Sequence, residues 1–334
     1  MRILVFPALD SVRLSRLQAK AGLGKIINVQ NEEEAHQEIP AADAFLGKIT
    51  PALLKAATRL KWVQSMTVSL EHYLFPELIQ HECVLTNMRG IFSDVVAEHT
   101  FALMLAWSRN LPTYCLQQAR AHWEPAGGES ARVDFRAGPG VTNAIDLRHQ
   151  NLSGKTLGIF GLGGIGQAIA KRGLAFEMSC LAHDPFLKSE KVNNPDIRMT
   201  ATLAELLQQA DYLVLAAPHT PQTEGLFSRQ VFQKMQRHAF LVNIGRGALL
   251  NLQDLVDSLE AGEIAGAGLD VFQTEPLPRD HALWQMSSKV LITPHVAGYG
   301  PPIASRHLAV LEENVENFVQ GKPLINVADK SRWC

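Results

Sequence analysis

The sequence predicts an α/β fold built on parallel sheets. Short apolar runs typical of strands alternate with amphipathic helical patterns in the first hundred residues, and again from residue 157 to about residue 294. Such alternation is typical of βαβ units. The length of 334 residues suggests about two domains, and a hydrophobic content of 46% can offset the entropy cost of ordering them. We therefore expect two parallel-sheet domains.

Five apolar runs near the start of the chain are predicted to be strands, at residues 3–6, 26–29, 44–46, 62–64 and 84–86. Helical patterns lie between them, one over residues 12–21, which ends at Gly22, and others that begin near Glu32, Pro51 and Glu71. A further helix from about residue 94 to residue 109 has an apolar face too wide for one surface stripe. This pattern predicts burial on more than one side.

The remaining segments include one irregular stretch. Residues 123–150 contain clustered Gly and Pro, which predict a long loop. The last amphipathic pattern, over residues 303–319, is followed by Gly321 and Pro323, which are typical of a helix C-terminus.

The overall charge and the cysteines exclude several classes of protein. The formal net charge of −2 argues against a nucleic-acid partner. Neither a secretory signal nor a run of about 20 apolar residues is present, so we expect a soluble, cytoplasmic protein without a membrane partner. The cysteines are too widely spaced for a zinc site or a disulfide scaffold, and we expect no metal. They are Cys83, Cys115, Cys180 and Cys334.

A glycine motif opens the second alternating run. A predicted strand leads into Gly161-Leu-Gly163-Gly-Ile-Gly166, and a helical pattern follows. Gly161 permits a tight turn, Gly163 lets the backbone approach a pyrophosphate, and Gly166 lets the helix pack closely on the strand. The N–H groups of the helix N-terminus suit the phosphates. The motif predicts a dinucleotide site, the alternative being a glycine-rich turn without a ligand.

An acidic residue follows at the spacing expected for ribose binding. The predicted strand at residues 179–183 ends at Asp184, 18 residues after Gly166. Its carboxylate can accept hydrogen bonds from both adenosine ribose hydroxyls and would repel a 2′-phosphate. The sequence therefore favours NAD over NADP.

Three later segments each pair the end of an apolar run with a functional side chain. Arg246 lies in NIGRGAL, Asp270 and Glu275 lie in GLDVFQTEPLP, and His295 lies in TPHVAGYG. Ligands of open α/β sheets bind beyond the carboxyl ends of the strands, where these residues are expected. Arg, Glu and His beside a nicotinamide suit hydride transfer to a 2-oxo acid.

The chemistry of each group suggests its role. Arg246 can hold carboxylate and carbonyl oxygens, and His295 can give a proton to the developing alkoxide. Glu275 can orient the imidazole and favour its protonated form. Asp270 can accept a hydrogen bond from the nicotinamide carboxamide. Taken singly, the arginine could be a surface charge, the histidine a core residue and the glutamate a turn cap.

At these segments the sequence resembles the D-isomer-specific 2-hydroxyacid dehydrogenases. The resemblance covers nearly the whole chain and includes LSGKTLGIFGLGGIGQAIA, HDP, NIGRGALL, GAGLDVFQTEPLP and TPHVAGY. It implies two Rossmann-like or flavodoxin-like domains in a homodimer, with the site in the cleft between them. The substrate domain would comprise residues 1–100 and 296–334, and the NAD-binding domain would be inserted at residues 101–295.

The resemblance also implies site residues. The catalytic set would be Arg246, Glu275 and His295. The positions that contact NAD would be Gly164, Ile165, Asp184, Ala217, Ile244, Asp270 and Gly298.

Two segments depart from the pattern of that family. Where its substrate loop has a Gly-Val-Asp run whose backbone amides hold the substrate carboxylate, this chain reads QSMTVSLEHYL, with Val68 in the loop and Ser69 and Glu71 in place of Gly and Asp. Serine adopts a positive φ less readily than glycine, so we expect a different loop shape. Residues 123–152 are also longer than the usual link. Three interpretations are open for them: an inert insertion, part of the dimer surface or a lid of the cleft.

The leading hypothesis is an NAD-dependent oxidoreductase that interconverts a small 2-oxo acid and a D-2-hydroxy acid, of the glyoxylate or hydroxypyruvate type. The alternative from another class is an NAD(H)-sensing binding protein on the same scaffold, like the corepressors that share it. A third is oxidation of a different anion on this scaffold.

Overall fold

The computed structural model describes residues 1–133, 140–187, 192 and 194–333. Within them the strands form two sheets, and every neighbouring pair of strands is parallel. The strands are β1 (Arg2–Val5), β2 (Lys25–Asn28), β3 (Ala44–Leu46), β4 (Trp62–Gln64), β5 (Val84–Thr86), β6 (Thr156–Phe160), β7 (Ser179–His183), β8 (Ile197–Met199), β9 (Tyr212–Leu215), β10 (Phe240–Asn243), β11 (Gly266–Leu269) and β12 (Val290–Ile292).

Helices connect these strands in both sheets. They are α1 (Ser11–Ala21), α2 (Glu32–Glu38), α3 (Pro51–Ala56), α4 (Pro76–Gln80), α5 (Ser93–Ser108), α6 (Leu111–Ala119), α7 (Ala144–Arg148), α8 (Gly164–Ala175), α9 (Leu203–Gln209), α10 (Arg229–Phe232), α11 (Leu252–Glu260) and α12 (Ile303–Gln320). None of the helices in the described ranges is both long and apolar enough to cross a membrane.

The smaller sheet has the strand order β2-β1-β3-β4-β5 and buries both faces. Alternate residues of a strand point to opposite faces, and the two sets belong to separate hydrophobic clusters. Leu4 and Phe45 belong to one cluster, whereas Ile3 and Trp62 belong to the other. The second cluster also contains three residues of α12, which therefore completes the core of a sheet that begins 300 residues earlier in the chain. These residues are Leu308, Leu311 and Val315.

The larger sheet has the order β12-β11-β10-β9-β6-β7-β8. On it lies α5, which is buried on more than one side, as its wide apolar face predicted. Phe101 stacks on Phe176 with ring centroids 5.1 Å apart, and Trp107 stacks on Phe240 of β10 at 4.7 Å. The helix thus contacts both the end of α8 and the sheet itself.

The chain divides into two compact units. The first comprises Met1–Phe92, Pro218–Thr220 and Gly300–Cys334, and the second comprises Ser93–Ala217 and Pro221–Tyr299. The first contains the five-stranded sheet and the second the seven-stranded sheet. Helix α5 and the residues immediately after His295 belong to the second unit.

The predicted α/β class with two parallel sheets is confirmed, and the strand predictions agree within one residue. The helix predicted to begin near Glu71 is wrong. Residues 71–73 form a turn, in which the Leu70 carbonyl accepts from the Tyr73 N–H, and α4 begins only at Pro76. Proline fits the first position of a helix because that position needs no N–H donor.

The prediction of one long loop over residues 123–150 is wrong in part. Residues Glu129–Ala131 form a 3₁₀ turn and α7 follows at residue 144. The side chain of Asn143 accepts from the Asp146 N–H while the Asp146 carboxylate accepts from the Asn143 N–H. This reciprocal cap satisfies the N-terminus of the helix. Residues 134–139 lie outside the described ranges.

Candidate active site and cofactor site

The predicted site residues follow successive strands of the larger sheet. Because its strands are parallel, their carboxyl ends meet at one edge, and the pairing of Asn243 with Leu269 shows that neighbouring strands end level. In the order of the strands from β12 to β7, this edge carries His295, Asp270, Ile244 with Arg246, Ala217, Gly161 and Asp184. Neighbouring strands lie about 4.8 Å apart, so Asp184 and Asp270 are roughly 19 Å apart along the edge.

The glycine motif has the geometry that its spacing predicted. Gly161 has φ +94°, and a Cβ there would lie 2.7 Å from the backbone nitrogen of Ala217. A Cβ on Gly166 would lie 2.2 Å from the carbonyl oxygen of Gly161. A Cβ on Gly163, by contrast, would meet nothing within 4 Å. The outer glycines are thus required by the fold, whereas the middle one leaves open space.

That open space lies at the N-terminus of α8. Gly163 is the N-cap, Gly164 begins the helix and both are exposed, with Ile165 half-buried behind them. The first N–H groups of a helix have no partner within the helix and carry a partial positive charge. The structure therefore offers an anion-binding helix terminus where the motif predicted a pyrophosphate site.

The side chain of Asp184 is half-buried beside this turn. Its Oδ2 accepts from the N–H of Leu162 at 2.9 Å, and its Oδ1 accepts from the N–H groups of Phe186 and Leu187 at 2.9 and 3.1 Å. A carboxylate offers about four acceptor positions, so capacity remains for a ribose hydroxyl. The sequence did not indicate that this carboxylate also ties β7 to the glycine turn.

Two buried residues complete this part of the edge. Ala217 and Ile244 are each 6% exposed, one after β9 and the other after β10. The backbone of Ala217 packs against the turn at Gly161, because a Cβ added to Gly161 would lie only 2.7 Å from the Ala217 nitrogen. These residues can therefore line the edge only with backbone and apolar groups.

Asp270 is buried beneath the turn that carries His295. The residue is 1% exposed, and its Oδ1 accepts from Thr293 Oγ1 at 2.6 Å and from the Val296 N–H at 2.9 Å. Its Oδ2 accepts from the Ala297 N–H at 2.9 Å. The carboxylate thus holds the loop on both sides of His295, with Gly298 half-buried just beyond, and one acceptor position remains.

Glu275 and His295 are in direct contact. Oε2 of Glu275 is 2.7 Å from Nδ1 of His295, and its Oε1 accepts from the Phe272 N–H at 2.8 Å. The glutamate therefore both caps a turn and binds the imidazole. Because a carboxylate only accepts, the proton lies on Nδ1 and leaves Nε2 to exchange protons with a ligand. The His295 side chain is 49% exposed, so Nε2 can reach a ligand.

Arg246 lies in the turn after β10, against the turn of Glu275. The following Gly247 packs so closely on Phe272 that a Cβ would lie 1.9 Å from the carbonyl carbon of that residue. The arginine is half-buried, and its Nη1 donates to the Gly245 carbonyl at 2.7 Å. Asn243 donates to the Arg246 carbonyl at 2.9 Å and so fixes the turn.

The predicted substrate-loop residues lie in the first unit. The carbonyl of Val68 accepts from Asn87 Nδ2 at 2.9 Å, and that of Ser69 accepts from Thr67 Oγ1 at 2.7 Å. Among the described residues, the N–H groups of Val68 and Ser69 have no acceptor. Ser69 does not adopt a positive φ, so the loop is formed without a glycine at that position.

His307 of α12 supports the same loop. Its Nε2 lies 3.1 Å from the carbonyl oxygen of Met66, which makes it a hydrogen-bond donor to the loop. Burial lowers the pKa of His307, which favours the neutral ring. No local sequence pattern indicates this contact, because 241 residues separate the two partners.

The described residues contain no group of three or more His, Cys, Asp or Glu side chains that could hold a metal ion.

Comparison with known proteins decides the family. Residues 101–297 match the model of the D-isomer specific 2-hydroxyacid dehydrogenase, NAD binding domain. The chain belongs to the D-isomer specific 2-hydroxyacid dehydrogenase family. The resemblance seen in the sequence is confirmed, and residues 101–297 form the family's domain for a nicotinamide dinucleotide.

Relatives within the family include two enzymes and a solved structure. The chain is 29% identical over 326 residues to D-3-phosphoglycerate dehydrogenase of Archaeoglobus fulgidus, covering 96% of this chain and 57% of that protein. It is 32% identical over 297 residues to glyoxylate reductase of Thermofilum pendens, covering 87% and 83%. A crystal structure of a family protein from Aeromonas salmonicida is 29% identical with a TM-score of 0.74, covering 98% of this chain and 99% of that one.

The chain spans between 53% and 59% of the length of the phosphoglycerate dehydrogenases that it matches. It spans 83% of the glyoxylate reductase.

Proposed function

We propose that this protein is an NAD-dependent oxidoreductase that interconverts a small 2-oxo acid and the corresponding D-2-hydroxy acid. Glyoxylate and hydroxypyruvate are the leading substrates. The observation that carries the proposal is the 2.7 Å contact between Glu275 and His295 at the carboxyl edge of a dinucleotide-binding sheet, beside the turn of Arg246. The glyoxylate reductase of Thermofilum pendens among the relatives also supports it.

In the proposed reduction, His295 is the acid. Its Nε2 gives a proton to the carbonyl oxygen while Nδ1 keeps its hydrogen bond to Glu275, whose negative charge stabilises the imidazolium beforehand. The ring then returns to the neutral Nδ1–H tautomer. In the reverse direction Nε2 removes the hydroxyl proton as a base. Bound NADH would supply the hydride.

Arg246 and the substrate loop are proposed to orient the acid. The guanidinium can hold the carboxylate and polarise the carbonyl as charge develops on its oxygen, a charge-assisted contact worth about 1.5–3 kcal/mol. The unbonded N–H groups of Val68 and Ser69 are donors suited to the carboxylate. With these groups on the acid, the carbonyl is left for His295.

We propose NAD rather than NADP as the cofactor. The open space at Gly163 and the helix terminus at Gly164 fit a pyrophosphate, and Ile165 follows them on α8. The Asp184 carboxylate suits ribose hydroxyls and opposes a 2′-phosphate. The remaining acceptor position of Asp270 suits the carboxamide of the nicotinamide. Ala217, Ile244 and Gly298 would then contact the cofactor.

We propose the following organisation for the chain. Residues 1–100 and 296–334 form a substrate domain, and residues 101–295 are the cofactor domain. The subunit forms a homodimer in the cytoplasm. Exposed apolar side chains between residues 111 and 147 support the dimer, and the free thiols of Cys83, Cys115 and Cys180 suit a reducing compartment. The exposed apolar residues include Leu111, Leu116, Trp123 and Leu147.

The test measures the oxidation of NADH, through the loss of its absorbance, in the presence of each of a panel of 2-oxo acids. We expect turnover with at least one small 2-oxo acid and loss of most of it in His295→Ala. Binding of NADH with no turnover above the rate measured without enzyme would overturn the enzyme proposal and favour an NAD(H)-sensing protein. Turnover above that background, but equal in wild type and His295→Ala, would remove His295 from the mechanism.

A further inference from the structure

A second histidine lies behind the turn that carries His295. His99 is on α5 in the same compact unit, and its side chain is 20% exposed. Its Nε2 lies 2.9 Å from Oγ1 of Thr293 and 3.5 Å from Oδ1 of Asp270. Thr293 precedes His295 by two residues, and 194 residues separate it from His99. A histidine of a largely apolar helix is thus linked to the proposed site.

The direction of the hydrogen bonds follows from the groups. Thr293 has one hydroxyl proton and donates it to Oδ1 of Asp270 at 2.6 Å, because a carboxylate can only accept. Thr293 Oγ1 must then accept from His99, so the proton of His99 lies on Nε2. A chain of donors runs from His99 through Thr293 to Asp270.

The backbone carbonyls of Asp270 and Thr293 also hold the backbone of His295. Its N–H donates to the carbonyls of Asp270 at 2.8 Å and of Thr293 at 3.1 Å. The Asp270 carboxylate holds the N–H groups of Val296 and Ala297 on the other side. His295 has φ 54°, a left-handed conformation that residues other than glycine adopt only when their surroundings impose it. The polar network around Asp270 is positioned to impose it.

We propose that His99 is a positioning residue for His295. By donating to Thr293 it fixes the orientation of the hydroxyl toward Asp270, and the carboxylate in turn fixes the turn that directs the imidazole toward Glu275. The catalytic consequence rests on the proposed function, whereas the effect on the His295 ring does not. The two effects are therefore measured separately.

The first measurement uses two-bond ¹H–¹⁵N spectra of histidine-labelled protein at alkaline pH, which report the tautomer of each ring. In wild type we expect His99 as the Nε2–H form and His295 as the Nδ1–H form, with His295→Ala for assignment. His99→Leu should shift the His295 nitrogens toward a mixture of tautomers. His99→Gln, which keeps an N–H donor, should restore them.

The matched control is Glu98→Gln on the same helix. Glu98 pairs with Arg172 at 2.8 Å and has no link to the turn, so its loss should leave the His295 nitrogens unchanged. If His99→Leu leaves the His295 shifts as in wild type, or if Glu98→Gln moves them equally, the positioning proposal is overturned.

The second measurement is kinetic and uses a double-mutant cycle. His99→Leu should lower kcat by about ten- to a hundredfold with little change in NADH affinity, and His99→Gln should recover most of it. Thr293→Val should give a similar loss, and the double variant His99→Leu/Thr293→Val should be no worse than the poorer single variant. Additive losses would show that His99 does not act through Thr293 and would overturn the proposal.

The two measurements separate the two proposals. A wild-type protein without turnover on any 2-oxo acid, but with His295 nitrogens that shift in His99→Leu, supports the positioning role while the proposed function fails. Turnover in wild type, with kcat and His295 nitrogens unchanged in His99→Leu, supports the function and overturns the role of His99.

Discussion

Single carboxylates near the proposed cofactor site make more contacts than their ligand roles require. Asp184 accepts from three backbone N–H groups and Asp270 from two N–H groups and a hydroxyl. Each is held in one orientation before any ligand arrives. Substituting either one therefore changes both the local backbone and the charge offered to the cofactor, and variants must separate these effects.

Asp184→Asn tests the adenosine side, and the comparison of two cofactors separates the charge from the local contacts. The amide removes the negative charge, and its one oxygen can accept either from the Leu162 N–H or from the N–H groups of Phe186 and Leu187, with its NH2 group facing the other side. We expect the affinity for NADH to fall by about tenfold, the equivalent of one charge-assisted hydrogen bond, and the affinity for NADPH to fall less. Titrations of NADH and NADPH fluorescence measure both constants, and circular dichroism checks the fold. Equal losses for the two cofactors would contradict a role in cofactor choice.

At the scale of elements, the strand–turn–helix unit around β6 and α8 separates folding from binding. Gly166→Ala places a Cβ 2.2 Å from the Gly161 carbonyl, so helix and strand must move apart. Gly163→Ala meets nothing within 4 Å and its φ of −70° suits alanine. The same chemical change should therefore have different effects three residues apart.

We expect Gly166→Ala to lower the unfolding midpoint in urea, with a cost of at least about 1–3 kcal/mol for overpacking. Gly163→Ala should keep the wild-type midpoint but weaken NADH binding by tenfold or more, since its methyl would occupy the space that we propose for the pyrophosphate. Urea unfolding and NADH titration of both variants are the measurements. Normal NADH affinity in Gly163→Ala would place the pyrophosphate elsewhere.

The start of the five-stranded sheet depends on a buried carboxylate. Asp43 is 4% exposed, and it accepts from the Arg2 N–H at 2.8 Å and from Arg59 at 3.1 Å. Burial raises the pKa of Asp43, but these hydrogen bonds more than offset it, so the pKa lies below its ordinary value. Such a group stabilises the fold above its unfolded pKa and loses that contribution as pH falls through its folded pKa.

We therefore expect Asp43→Asn to be less stable than wild type by about 1–3 kcal/mol at neutral pH, with the gap closing below about pH 4. Urea midpoints measured from neutral to acid pH test this. Asp329→Asn, at an exposed carboxylate that also has a lowered pKa, is the control and should show a much smaller gap. A gap that stays constant with pH would mean that the charge of Asp43 does not matter.

The sequence predicted elements well where a short apolar run is decisive. The strands at residues 44–46, 62–64, 84–86 and 179–183 were predicted to the residue. The sequence did not predict elements correctly where contacts with neighbouring segments determine the local structure, as at Glu71. It also did not predict α7, which is only about one and a half turns long. It also missed His99, since a polar residue in an apolar helix was the only local signal and its partner Thr293 is distant in sequence.

At the scale of the whole molecule, distant segments share one core. Leu311 of α12 is fully buried in the cluster that contains Ile3, Val5 and Trp62. The helix thus stabilises the first unit although the entire second unit separates it from β5 in the chain.

Leu311→Ala should therefore destabilise the first unit by about 2–5 kcal/mol. Hydrogen exchange resolved by peptides should show lost protection in residues 1–92 and 300–333, with the protection of β6 and β7 retained. Val310→Ala, at a half-buried position of the same helix, is the matched control and should have a smaller effect. Uniform loss of protection across both units would show that they do not unfold separately.

The return of the chain to its first unit bears on how the protein folds as it is synthesised. When residue 299 has been made, every segment of the second unit exists, but α12 does not. The face of the five-stranded sheet that later receives Leu308, Leu311 and Val315 is then exposed apolar surface. Domains generally fold as units during synthesis, so the second unit can form before the first unit is complete. A nascent chain at this stage presents an apolar surface that is prone to nonspecific association until α12 covers it.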